Sequence, residues 1–194
     1  MEILVEHAQP RRDAPKISAL IRVCREEKRT TLNAFTPEQE EAYLRSMPGR
    51  EAVFVAYVGG EFAGFAGVSP RWAYSERLRH CGECGTWVTP GLRGKGVGWA
   101  LWESGVVPWC KEQGFRHLGA LVMAHNAGSI AFYERLGFHV CGYHRKVVDW
   151  GGELLDAVEI EKPASLTGNN GSTVCSMRQV CDDDIKTMIA IIRD

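Results

Sequence analysis

Between Val88 and Leu101 the chain reads Val-Thr-Pro-Gly-Leu-Arg-Gly-Lys-Gly-Val-Gly-Trp-Ala-Leu, with three alternating glycines at Gly94, Gly96 and Gly98. Glycine has no Cβ, so such a backbone can curl tightly and turn successive N–H groups toward one point. A helix starting there adds unpaired N–H donors and the positive end of its dipole. Together they capture a pyrophosphate without needing a basic surface. A merely tight strand-to-helix turn accounts for one glycine, but poorly for three with Arg93 and Lys95 among them. A Walker A loop requires Ser or Thr after Gly-Lys, and Gly96 follows Lys95. A Rossmann fingerprint requires G-x-G-x-x-G and an acidic residue after the next strand. Here the glycines run G-x-G-x-G, and that strand ends in His125-Asn126.

Local capture of an anion fits the charge balance. The 194 residues carry 23 basic and 24 acidic side chains, a formal net charge of −1. No broad basic field is available for nucleic acid or an anionic membrane. The opening residues lack the basic and apolar regions of a signal peptide, and no stretch approaches the ~18 apolar residues of a membrane span. A soluble, cytoplasmic protein is expected. Seven scattered cysteines read as reduced thiols. Cys81-Gly82-Glu83-Cys84 is a lone CxxC without the second ligand pair of a structural zinc site, so no metal is expected.

The elements that must carry this turn follow from periodicity. Residues 1–8 and Arg79–Val88 read as strands, as do Val53–Val58 and Phe62–Ser69 joined by Gly59-Gly60. Ala14–Glu27 reads as an amphipathic helix, and a second helix starts at Thr36 with a capping box to Gln39. The glycine turn leads into a helix over Trp99–Gln113, stopped by Gly114. Pro108 inside it, costing ~3 kcal/mol in a helix interior, predicts a kink near Ser104. A strand at His117–Ala124, a helix at Ala127–Leu136 and a hairpin of His139–Asp149 with Glu153–Glu161 complete an α/β (α+β) pattern. Ala164–Ser172 has linker composition, and Met177–Ile192 reads as a tail or as the truncated start of a second copy. The domain is therefore expected over 1–163, with 164–194 as an appendage.

Arg93-Gly94-Lys95-Gly96-Val97-Gly98, preceded by Val-x-Pro, resembles the acetyl-CoA motif of the GNAT acetyltransferases. The segment from Asn126 to Phe138 resembles the later Asn-helix-Gly-Phe segment of that family. The resemblance covers roughly residues 1–162 and is nearest to phosphinothricin acetyltransferases and related amino-acid N-acyltransferases. They share Arg79-His80, Glu83, an aromatic before Val88, Ser129-Ile130 and Leu155-Asp156. The chain departs from them at Cys84 and Tyr133, each a histidine there, and at Gly152-Glu153-Leu154. The resemblance implies a mixed, mostly antiparallel sheet flanked by helices and splayed at its central strands. It implies an acetyl-CoA site formed by Trp87, Val88, Arg93, Gly94, Lys95, Gly96, Val97, Gly98, Trp99, Asn126 and Ser129.

Making an amide from a thioester requires an uncharged amine, a polarised carbonyl and a proton for the leaving thiolate. Glu83, on the strand entering the glycine turn, is the candidate base, with His80 as the alternative. Tyr133 is the candidate acid, as the resemblance implies, and the Val88 N–H can polarise the carbonyl. Arg79 and His80 would hold an acceptor carboxylate, with Trp72 and Tyr74 walling the pocket. The expected acceptor is a small-molecule primary amine, an amino acid or its analogue, attacked directly in a ternary complex. Acetylation of a protein N-terminus or lysine, a non-catalytic acyl-CoA sensor, and a homodimer stay open.

Overall fold

The computed structural model describes residues 2–163. The segment 164–194, expected as linker and tail, lies outside them. Among the described residues seven strands form one sheet in the order β1-β2-β3-β4-β5-β7-β6. The first four, β1 (Ile3–His7), β2 (Ala52–Val58), β3 (Glu61–Pro70) and β4 (Cys81–Val88), pair antiparallel with one another in that order. The β2–β3 hairpin turns on Gly59 and Gly60, both at positive φ.

The decisive feature is the next pair. Strand β4 meets β5 (His117–Met123) in parallel, and only Cys81–Glu83 pairs with His117–Gly119. Beyond that, β5 keeps its antiparallel pairing to β7 (Glu153–Pro163), while β4 keeps its pairing to β3. The sheet therefore opens between Cys84–Val88 and Ala120–Met123, as the expected central splay requires. Strand β6 (His139–Trp150) closes the far edge against β7.

Helices cover both faces. On one lie α1 (Pro10–Glu26) and α2 (Pro37–Ser46), which bury Ile17, Leu20, Ile21 and Leu44 against Val55 and Phe65. Helix α1 starts at Pro10 rather than Ala14, because proline's missing N–H costs nothing in the first turn. The Asp13 carboxylate accepts the Gln9 N–H at 2.7 Å and satisfies a second end group. Thr36 and Gln39 form the expected capping box on α2.

On the opposite face a continuous helical run comprises α3 (Val97–Leu101), a π-helical turn (Trp102–Val106) and α4 (Val107–Glu112). It begins two residues earlier than expected, directly from Gly96. The π turn occupies the region of the expected kink and ends two residues before Pro108, which cannot supply a regular i→i−4 donor. Helix α5 (Ala127–Arg135) lies on the same face and seats Tyr133 beside Trp102 and Phe138.

Candidate active site

The glycine turn stands at the open end of β4. Gly94 and Gly96 have φ of 74° and 86°, values that favour glycine, and open space surrounds both. Gly98 serves packing, since a Cβ there would stand 3.0 Å from the Phe132 ring. Among the described residues the N–H groups of Gly96, Val97, Gly98 and Trp99 have no hydrogen-bond partner. That is the donor set an anion at a helix start requires. Arg93 does not point free into this cradle. Its guanidinium donates to Glu27 at 2.6 and 3.0 Å and to the Val88 carbonyl at 3.1 Å. It fastens the turn to the end of α1, while Lys95 stays exposed.

Strand alternation divides β4 between two faces. Cys84 and Val88 join the core under α3–α5, whereas Trp87 packs toward α1 and stacks on Phe65 at 4.7 Å. The Thr89 N–H donates to Ala63 on β3 at 2.9 Å, so alternation turns the Val88 N–H the other way, toward the splay. The splay opens into a cavity of about 410 Å³ lined by Glu83, Cys84, Thr86, Trp87, Ser129 and Tyr133 among others. Its volume suits a small molecule.

Two groups there can move protons. Tyr133 is buried, and its hydroxyl donates to Thr86 Oγ1 at 3.4 Å. Thr86 is itself held by the Trp102 indole N–H at 2.9 Å. Burial pushes the Tyr133 phenol well above its ordinary range, so it keeps its proton. Glu83 faces Arg71, whose Nε lies 3.0 Å from its carboxylate. Burial raises the Glu83 carboxyl above its usual value, Arg71 pulls it back, and Glu159 nearby raises it. The same arginine also pairs with Glu159, and it crosses β5 at Gly119, where a Cβ would overlap the guanidinium. Cys84 is buried, its thiol donating to the Gly119 carbonyl at 3.4 Å, and burial holds that thiol protonated.

A profile of the Acetyltransferase (GNAT) family matches residues 17–138. The chain belongs to the GNAT acetyltransferase family. It is 40% identical over 83 residues to a streptothricin acetyltransferase of Streptomyces lavendulae, covering 43% of this chain and 41% of that protein. The chain spans 39 to 41% of the length of the curated relatives it matches. A ribosomal-protein-alanine N-acetyltransferase from Brucella melitensis superposes with a TM-score of 0.73 at 28% identity, over 82% of this chain and 99% of that one. A phosphinothricin acetyltransferase from Sinorhizobium meliloti, solved with AcCoA, gives 0.73 at 24%, over 90% and 97%.

Within this GNAT domain the residues expected from sequence fall into two groups. Glu83, Trp87, Ser129 and Tyr133 line the cavity, and the glycine turn lies at the end of its strand. Asn126 caps α5 by accepting the Ser129 N–H at 3.3 Å. Arg79, His80, Trp72 and Tyr74 are not among the cavity's lining residues. Strand β4 starts at Cys81, so Arg79 and His80 belong to the approach, with Arg79 closing a short turn onto Glu76. His80 offers its carbonyl to Arg116 and His117 on the way into β5. Tyr74 is 86% exposed, and Trp72 lies under the Arg71 guanidinium at 4.7 Å.

Arg71, Thr86 and Glu40 carry no signal in sequence that marks them for this site. Arg71 meets Glu83 and Glu159 only through the pairing of β3, β4, β5 and β7. Among the described residues no group of three or more His, Cys, Asp or Glu is placed to hold a metal.

Proposed function

We propose that this GNAT chain transfers the acetyl group of acetyl-CoA to the primary amine of a small molecule. The observation that carries the reading is the continuity of β4: one strand bears Glu83 in the cavity, turns the Val88 N–H into the splay and ends at the glycine cradle. The N–H groups of Gly96 to Trp99 fit the pyrophosphate of acetyl-CoA. Asn126, Ser129 and the backbone of Trp87 and Val88 would meet its pantetheine arm. When bound, acetyl-CoA supplies an acetyl thioester.

Glu83 accepts the proton of the incoming ammonium, leaving a neutral amine to form the C–N bond. The Val88 N–H stabilises charge on the carbonyl oxygen. Tyr133 gives its proton to sulfur as the C–S bond breaks; the second proton that the nitrogen sheds on becoming an amide restores the phenol through solvent, and the one on Glu83 leaves to solvent. Arg71 is a positioning residue that aims Glu83 and limits the rise of its pKa. An amino acid or its analogue is the acceptor that the family resemblance implies, and Arg29, in the cavity lining, would meet its carboxylate.

A second reading, acetylation of a protein N-terminus, is favoured by the likeness to the Brucella enzyme. Thiol release measured across amines, amino acids and an alanine-initiated peptide separates the two. Transfer to small amines supports the proposal, and transfer to the peptide alone replaces it. Tight acetyl-CoA binding with no transfer to any acceptor makes the chain a sensor.

A further inference from the structure

Helix α2 directs two residues at the sheet, Glu40 and Leu44, four positions apart on one stripe. Leu44 does what such a position ordinarily does and joins the core with Ile17, Ile21 and Val55. Glu40 stands on the same stripe as a carboxylic acid, 4% exposed, and it lines the cavity that holds Glu83 and Tyr133. Among the described residues its side chain has no hydrogen bond and no ion pair. Tyr43 donates to Glu51 at 3.1 Å, and Arg29 Nε lies 3.6 Å from Glu27. Burial raises the Glu40 carboxyl, and no opposing charge among the described residues brings it down.

A buried carboxylate without a counter-ion is costly, and the usual remedies are a partner or protonation. Here the cavity itself is where a partner can arrive. Its lining holds two carboxylates: Glu83, which Arg71 pairs at 3.0 Å, and Glu40, which has no such partner among the described residues; the guanidinium of the lining, Arg29, lies beside Glu27. Glu83 is occupied by the amine that reacts. Glu40 is left for a second cation.

We propose that the acceptor carries two ammonium groups, one acetylated near Glu83 and the other held by Glu40, as in a linear diamine or a dibasic amino acid. The inference rests on the acetyl-transfer reading given above and names the acceptor class for that same cavity. A dibasic amino acid would also use Arg29 for its carboxylate. A neutral-tailed amine would leave Glu40 unpaired and gain nothing from it.

The test compares kcat/KM for α,ω-diamines of increasing chain length with that for the matched monoamines, and for lysine with that for norleucine, all at saturating acetyl-CoA. A charge-assisted contact to a buried carboxylate predicts that the best diamine or lysine exceeds its matched monoamine about ten- to a hundredfold. Glu40→Gln, nearly isosteric, should bring that ratio toward one, mainly through KM. The wild-type ratio stands on its own if the variant folds poorly. Equal kcat/KM for diamines and monoamines at every length, or a wild-type ratio that Glu40→Gln leaves unchanged, overturns the inference. Transfer to monoamines in that case leaves the acetyl-transfer reading intact. No transfer to any amine overturns both.

Discussion

At the scale of single residues, the proposed reaction depends on two groups, Glu83 and Tyr133, whose proton affinities burial raises for opposite uses. Glu83 must lose its proton to act, so turnover should rise with pH through the folded pKa of its carboxyl. Arg71 works against the rise caused by burial. Arg71→Met should therefore move the acidic limb of the kcat profile to higher pH, whereas Glu83→Gln should lower kcat by about 10²–10⁴. A loss under about threefold for Glu83→Gln, with the limb unmoved in Arg71→Met, would remove Glu83 from the mechanism. Tyr133 must keep its proton, and burial ensures that it does. Tyr133→Phe should bind acetyl-CoA normally, by calorimetry, yet turn over slowly. The defect should shrink with a thioester whose leaving thiolate is a weaker base and needs no proton. Equal slowing with both thioesters would assign Tyr133 to packing. The place of Glu83 beside the cavity was legible because it precedes the motif on the same strand. Arg71 was not, because only the pairing of four strands brings it to Glu83 and Glu159. Glu40 was hidden by its setting in a polar, capped helix where a surface glutamate is the ordinary expectation.

At the scale of elements, the glycine turn and the start of α1 carry testable weight. Gly96 has open space around it, so a valine there suffers from backbone conformation rather than from collision within the protein. A β-branched residue at φ 86° costs about 1–2 kcal/mol or shifts the turn. Gly96→Val should weaken acetyl-CoA about tenfold or more by calorimetry in a folded protein. Unchanged affinity would mean that the turn is not the anion cradle. In α1, burial would raise the Asp13 carboxyl, but bonds from Arg12, Tyr57 and the Gln9 N–H outweigh it and hold the pKa below its ordinary value. The stability this supplies is full above the ordinary carboxylate pKa and is lost as pH falls through the depressed one. Asp13→Asn should cost about 1–3 kcal/mol in neutral urea melts, and the gap to wild type should narrow on acidification. A gap that stays constant with pH would refute the ionised pairing. The order of strands and helices was readable from hairpin glycines, caps and periodicity. The start of β4 was not, because the segment from Arg71 to His80 has neither alternation nor a helical stripe and folds as short turns.

At the scale of the whole described domain, the proposed transfer depends on the sheet opening between β4 and β5. On the proposed mechanism acetyl-CoA and amine share the space this opening leaves, and a direct attack requires both to be present together. A covalent relay through the protein would instead require a reactive nucleophile in that space. The thiol there, Cys84, is buried, donates to the Gly119 carbonyl and is held protonated, which removes its thiolate. The splay was foreseen through the family resemblance alone, since no local pattern reveals where two parallel strands stop pairing. Initial rates with acetyl-CoA and amine varied together test this directly. Double-reciprocal lines that intersect are predicted, as both substrates must occupy the splay before either product leaves. Parallel lines, with an acetylated protein trapped in the absence of amine, would contradict the account.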